Sequence, residues 1–193
     1  MASLDLKREY RKYYTARVGR PTLVEVASRP FPMVDGAGDP NTSQVYAEAV
    51  AARCPIAYAI RAAIKRQTGD GYAVMPLEGL WWADDMAHFS VEDKSDWKWT
   101  MMICQPDVAT VEMVATVIPE VTAEKTLAGG GRVRFATYEE GAAAQVMHLG
   151  PYADEAPTIQ LLHEFIAAEG LEPVSYTHLT LPTTGSLCCS RWW

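Results

Sequence analysis

The sequence predicts an α+β fold in which a helix followed by two antiparallel strands occurs twice. Three observations lead there. Of 193 residues, 49% are hydrophobic and 21% charged, the composition of a globular chain with one sizeable core or two small modules sharing one. Segments with the apolar spacing of amphipathic helices lie at 41–66, 108–122 and 154–169. Between them, at 72–83, 97–104, 132–139 and 143–149, stand shorter apolar runs of strand length.

Taken in order, Leu4, Leu6, Tyr10, Tyr13 and Tyr14 make one apolar side of a short helical start, closed by Pro21. Leu23 to Val26 alternates as a strand, and Pro30 to Asp35 gives a second extended piece. Asp35-Gly36-Ala37-Gly38-Asp39-Pro40-Asn41-Thr42 is dense in turn formers. The G-x-G within it lacks the third glycine of a dinucleotide loop, and Asp39 would repel a pyrophosphate, so it reads as a turn before a helix capped near Asn41, Thr42 or Ser43. Pro55 is expected to kink or break that helix, because it removes an N–H and crowds the preceding turn. Tyr72–Ala83 and Trp97–Cys104 read as a strand pair around an acidic loop.

A second set follows. The helix from Val108 ends or bends at Pro119, Gly129-Gly130-Gly131 is a break, and a turn at Glu140-Gly141 joins the next two strands, with Glu139 and Glu140 solvated. The last helix ends at Gly170, a natural C-cap. From Ser175 the character changes: no charge appears before Arg191, no period holds, and the chain closes on Trp192-Trp193. Residues 1–174 are expected to form the folded domain, and 175–193 to be a non-native tail.

The formal net charge of -7 argues against nucleic-acid binding. No apolar run reaches a membrane span, and the N-terminus lacks the apolar core of a signal peptide, so a cytoplasmic protein is expected. Cys54 and Cys104 lie in apolar patterns and read as buried small hydrophobes. No His/Cys spacing fits a metal, so neither metal nor cofactor is expected.

The candidate site residues are aromatic and acidic. Trp97, Trp99 and Met101 share one face of their strand, while Trp81 and Trp82 point to opposite faces. Such indoles can be core or the wall of a pocket that stacks flat or cationic ligands. Glu78, inside an apolar strand, points either to water or into a pocket, where it would serve as acid or base. Glu155, with Tyr152 beside it, is the leading candidate for a water-activating carboxylate; Asp154 reads as a helix cap. His148 and His163 have no partner at metal-ligand spacing, although His148 lies among the pocket candidates.

As an ordered set, several motifs resemble one branch of the GyrI-like family: Asp35-Gly36-x-Gly38-Asp39-Pro40-Asn41, Met75-Pro76-Leu77-Glu78-Gly79-Leu80-Trp81-Trp82, Trp97-Lys98-Trp99-Thr100-Met101-Met102, Gln145-Val146-Met147-His148-Leu149-Gly150-Pro151-Tyr152 and Asp154-Glu155-x-Pro157-Thr158-Ile159. The resemblance spans about residues 4–174. It implies two strand–helix–strand–strand modules with pseudo-twofold symmetry and a cleft for an apolar or cationic aromatic ligand. It further implies an intracellular binding protein, with hydrolysis of cyclopropanoid electrophiles as its activity. The alternatives are a non-catalytic ligand sensor or sequestering module, or a gyrase-interacting inhibitor. The family's final strand carries a glutamate in the pocket, and nothing after Val174 matches that strand.

Overall fold

The computed structural model describes residues 4–84, 94–151 and 154–172, together with the backbone of two strands at 177–181 and 187–192. It is an α+β fold. In chain order it comprises α1 (Leu6–Glu9), α2 (Arg11–Tyr14), β1 (Thr22–Val26), β2 (Arg29–Ala37), α3 (Gln44–Thr68), β3 (Leu77–Trp82), β4 (Lys98–Ile103), α4 (Val111–Lys125), β5 (Arg134–Tyr138), β6 (Gly141–Leu149), α5 (Ala156–Ala168), β7 (Thr177–Leu181) and β8 (Leu187–Trp192).

All strand pairings are antiparallel, in the order β1-β6-β8-β7-β3-β4-β2-β5. Exchanging the first four strands for the last four reproduces this order backwards, which is the signature of a pseudo-twofold between β2-α3-β3-β4 and β6-α5-β7-β8. The edge strands are exchanged between the halves: β1 pairs with β6, and β5 pairs with β2. Val26 opposes Gly141, and three residues on Arg29 opposes Tyr138, so one register runs through the crossover. β7 pairs with β3 and β8 with β6, which joins the β1–β6 pair to the four strands β3-β4-β2-β5. Residues 177–192, expected to be a foreign tail, therefore include the backbone that links the two halves.

α3 forms because Ser43 caps it, its side chain accepting from the Tyr46 N–H, and because Ala49, Ala52, Ile56, Ala57, Ile60 and Ile64 give it one buried face. It runs unbroken through Pro55, contrary to expectation, and α4 likewise runs through Pro119. The reason is the same in both. Residues Ala51 and Ala115, whose carbonyls lose a partner, are exposed, so water can take over the missing bond. Two further expectations are corrected. Cys54 is exposed because it falls on the solvent side of α3, while Cys104 is buried as expected. Glu140 is not on a solvated turn. It is 1% exposed at the crossover between β5 and β6, where Gly141 turns with φ +66°.

The glycines at 36 and 38 also divide differently from the expected turn. Gly38 has φ +95° and makes the turn, but Gly36 is inside β2 opposite Trp99. A Cβ there would lie 2.2 Å from the Trp99 ring. Gly36 is thus the floor on which a fully buried indole lies. Gly36→Ala is expected to cost about 1–3 kcal/mol through overpacking. Urea denaturation checks it: a midpoint equal to that of the unmodified protein would mean that the indole has room to move.

Candidate functional site

Strand alternation sorts the candidates onto two faces of the sheet. Trp81 opposes Trp99 on the face covered by α3. There the Tyr46 ring of α3 stands 5.7 Å from Trp81 and 5.1 Å from Trp99, and Trp81 stands 5.6 Å from Trp97. Met101, two residues from Trp99, is buried on the same face. These three tryptophans and Met101 are packed together under the helix.

Glu78 lies on the other face, with Leu80 and the half-buried Trp82. It opposes Met102, which in turn opposes Met33. Its exposure is 0%. The Tyr14 hydroxyl donates to Glu78 Oε1 at 2.5 Å, and burial, then the Glu78 charge, raises the Tyr14 phenol well above its ordinary range. Tyr14 therefore stays a proton donor, holding the carboxylate in place.

Around this pair stand residues that sequence reasoning did not place in the site. Arg29 is 4% exposed and lies over the rings of Tyr13 (4.3 Å) and Tyr10 (4.9 Å), a cation–π arrangement. Burial acts against its charge, but Tyr14, Cys104 and Glu78 more than offset this and hold its pKa above the ordinary value. Burial also pushes the Cys104 thiol up to about 12, with the Glu78 charge adding to it. Cys104 is thus a thiol, not a nucleophilic thiolate. Two sequence signals pointed here: a lone cation heading the apolar run Pro30-Phe31-Pro32, and tyrosines whose polar tips extend beyond their apolar spacing.

α2 bridges the halves. Tyr14 reaches β3, while the Gln145 side chain of β6 donates to the Lys12 carbonyl at 3.0 Å. His148 is buried on the α5 side of β6. Its Nε2 donates to the Pro151 carbonyl at 3.1 Å, and its Nδ1 is 2.9 Å from the Thr158 hydroxyl. The tryptophans at 81, 97 and 99 and His148 are therefore not brought together with Glu78. Tyr152 falls outside the described residues. Among the described residues no group of His, Cys, Asp and Glu could hold a metal, and no helix is long and apolar enough to cross a membrane.

Solved structures place this geometry in context. The chain is similar over its whole length to a hydrolase from Listeria innocua. That structure, encoded by lin2189, shares 29% identity at a TM-score of 0.86, covering 99% of this chain and 98% of the other. A structure described as an uncharacterized conserved protein from the same organism gives 29% identity and a TM-score of 0.87, with 99% of each chain covered. An EcmrR–DNA complex, at 10% identity and a TM-score of 0.50 over 96% of this chain and 60% of that one, shares the fold. No family model matches the sequence, and no curated protein matches it.

Glu155 occupies the N-cap position of α5 with no side-chain cap bond, and its Oε2 is buried without a hydrogen-bond partner among the described residues. Burial raises its pKa, offset in part by the charges of His148 and Lys94. An acid whose folded-state pKa is raised destabilises the fold above that pKa, and contributes nothing once it is protonated in both states. Glu155→Gln is therefore expected to raise the melting temperature at pH 7.5, with the gain vanishing as pH falls through the raised pKa toward 4. Thermal melts across that range check it; a loss of stability at pH 7.5 would mean that the charge is well supported.

Proposed function

We propose that the protein binds apolar or aromatic small molecules against the Glu78 face of the sheet and hydrolyses strained-ring electrophiles there, with Glu78 as the water-directing carboxylate. The observation that carries the reading is the fully buried Glu78 held at 2.5 Å by Tyr14. A carboxylate is taken out of water at a cost of several kcal/mol, and a wholly structural position on a sheet is filled at lower cost by an apolar residue. The whole-length similarity to a Listeria innocua hydrolase and the resemblance to the cyclopropanoid-hydrolysing branch of the GyrI-like family support the same reading.

In this scheme Leu80, Trp82, Met33 and Met102 provide the apolar wall. The Glu78 carboxylate accepts a proton from water as the water oxygen bonds to the strained carbon. The ring C–C bond breaks, its electron pair passes into the conjugated group of the substrate, and that group takes up a proton; the sum is addition of one water. No metal, nucleotide or redox partner enters the balance. Tyr14 orients the carboxylate, and Glu155 is a second candidate acid from the other half. β7 and β8 supply backbone pairing to β3 and β6, but no Asp or Glu follows Glu172; we propose that residues 175–193 stand in place of a native last strand. The ligand is a small molecule, not a nucleic acid, in keeping with the net charge of -7.

The test is turnover of a spiro-cyclopropyl cyclohexadienone, followed by loss of its ultraviolet absorbance. The unmodified protein is expected to accelerate its hydration, and Glu78→Gln to lower kcat by a factor of about 100 or more. Undiminished kcat in a folded Glu78→Gln protein would remove Glu78 from the chemistry. Tight binding without turnover by either protein would favour a sequestering module.

A further inference from the structure

The proposed chemistry leaves the most unusual side chain of this face without a task. Arg29 is 4% exposed, and its Nε and Nη1 donors are both buried with no hydrogen-bond partner among the described residues. Burying a guanidinium is costly, and leaving two of its N–H groups unmade adds to that cost. Ring faces at 4.3 and 4.9 Å compensate the charge but accept no in-plane hydrogen bond. The group therefore holds two unused donor nitrogens within electrostatic reach of Tyr14 and Glu78.

Resting on the reading given above, we infer that Arg29 is the oxygen-binding and specificity-determining residue of this site, taking the carbonyl oxygen of a neutral aromatic ketone. Either donor suits a lone pair of a carbonyl oxygen, an acceptor that the ring faces do not replace. The charge balance selects the ligand class. Arg29 and Glu78 already offset one another, so a carboxylate ligand would bring a second negative charge into a buried site, whereas a neutral carbonyl gains the hydrogen bonds and leaves the balance intact. The same oxygen is where electrons collect when a ring conjugated to it opens, so one contact would serve recognition and charge stabilisation alike. Tyr10, between α1 and α2, and Tyr13 of α2 cover the guanidinium, so a ligand must displace them to reach it.

Fluorenone and fluorene have the same flat ring system and differ by one carbonyl, which makes them the probes. Titrations followed by tryptophan fluorescence, with calorimetry as a second measure, are expected to show fluorenone binding at least about tenfold tighter than fluorene. Arg29→Gln, which removes the charge and shortens the side chain, is expected to bring the ratio of fluorenone to fluorene affinity down to about one. Equal affinity of the unmodified protein for the two probes would overturn the assignment of Arg29 while leaving small-molecule binding intact, and needs no variant to fold. A preference that survives in a folded Arg29→Gln protein would overturn it as well. Binding of neither probe would overturn this inference together with the small-molecule reading beneath it.

Discussion

Taking the carboxylate of Glu78 fully out of water is the constraint to which the rest of this face is fitted. A buried carboxylate is retained in such a place only where a donor meets it and a positive charge lies within electrostatic reach. Both come from the first thirty residues: the Tyr14 hydroxyl from α2, and Arg29 from the head of β2. Arg29 in turn needs the rings of Tyr10 and Tyr13, which explains why two helices of four residues each, too short to be stable alone, hold their place. Their anchorage is aromatic and polar together, and it reaches β6 through Gln145.

The other face of the sheet answers a different requirement. There the alanine-rich α3 lies close to β2 and β4, and the Trp99 indole fits because residue 36 has no Cβ. Tyr46, Trp81, Trp97 and Trp99 form one aromatic layer under the helix. Strand alternation thus separates a packing face from a polar face within β3 and β4, and Met101 and Met102, adjacent in sequence, belong to different ones. The pseudo-twofold sets these faces in the first half against β6 and α5 in the second, with β3 and β7 paired at the centre of the sheet.

Much of this arrangement could be read from the sequence. The α+β class, the strand pair around the acidic loop, the cap of α3 near Ser43 and the turn after α5 at Gly170 follow from local patterns, and the opposite directions of Trp81 and Trp82 follow from alternation alone. What could not be read depends on contacts distant in the chain. Glu78 and Tyr14 are 64 residues apart, and only the sheet decides that Glu78 turns inward while Trp99 turns toward α3. Local propensity also misjudged Pro55 and Pro119, where an exposed carbonyl tolerates the lost bond, and Glu140, which the crossover of the exchanged strands buries. Arg29 is not legible as a site residue because a single cation ahead of an apolar strand carries no local signal of burial, and only the packed rings of Tyr10 and Tyr13 reveal it.

The central claim is that ligands engage the Glu78 face and not the tryptophan layer, and the two neighbouring methionines distinguish these directly. With methyl-labelled methionine, nuclear magnetic resonance spectra recorded during titration with acridine report each face separately. Met102 and Met33 oppose one another in the row that contains Glu78, whereas Met101 lies beneath α3. The account predicts shifts of the Met102 and Met33 methyls at saturation, with Met101 unchanged. Shifts confined to Met101 would contradict it and would return the site to the tryptophan layer.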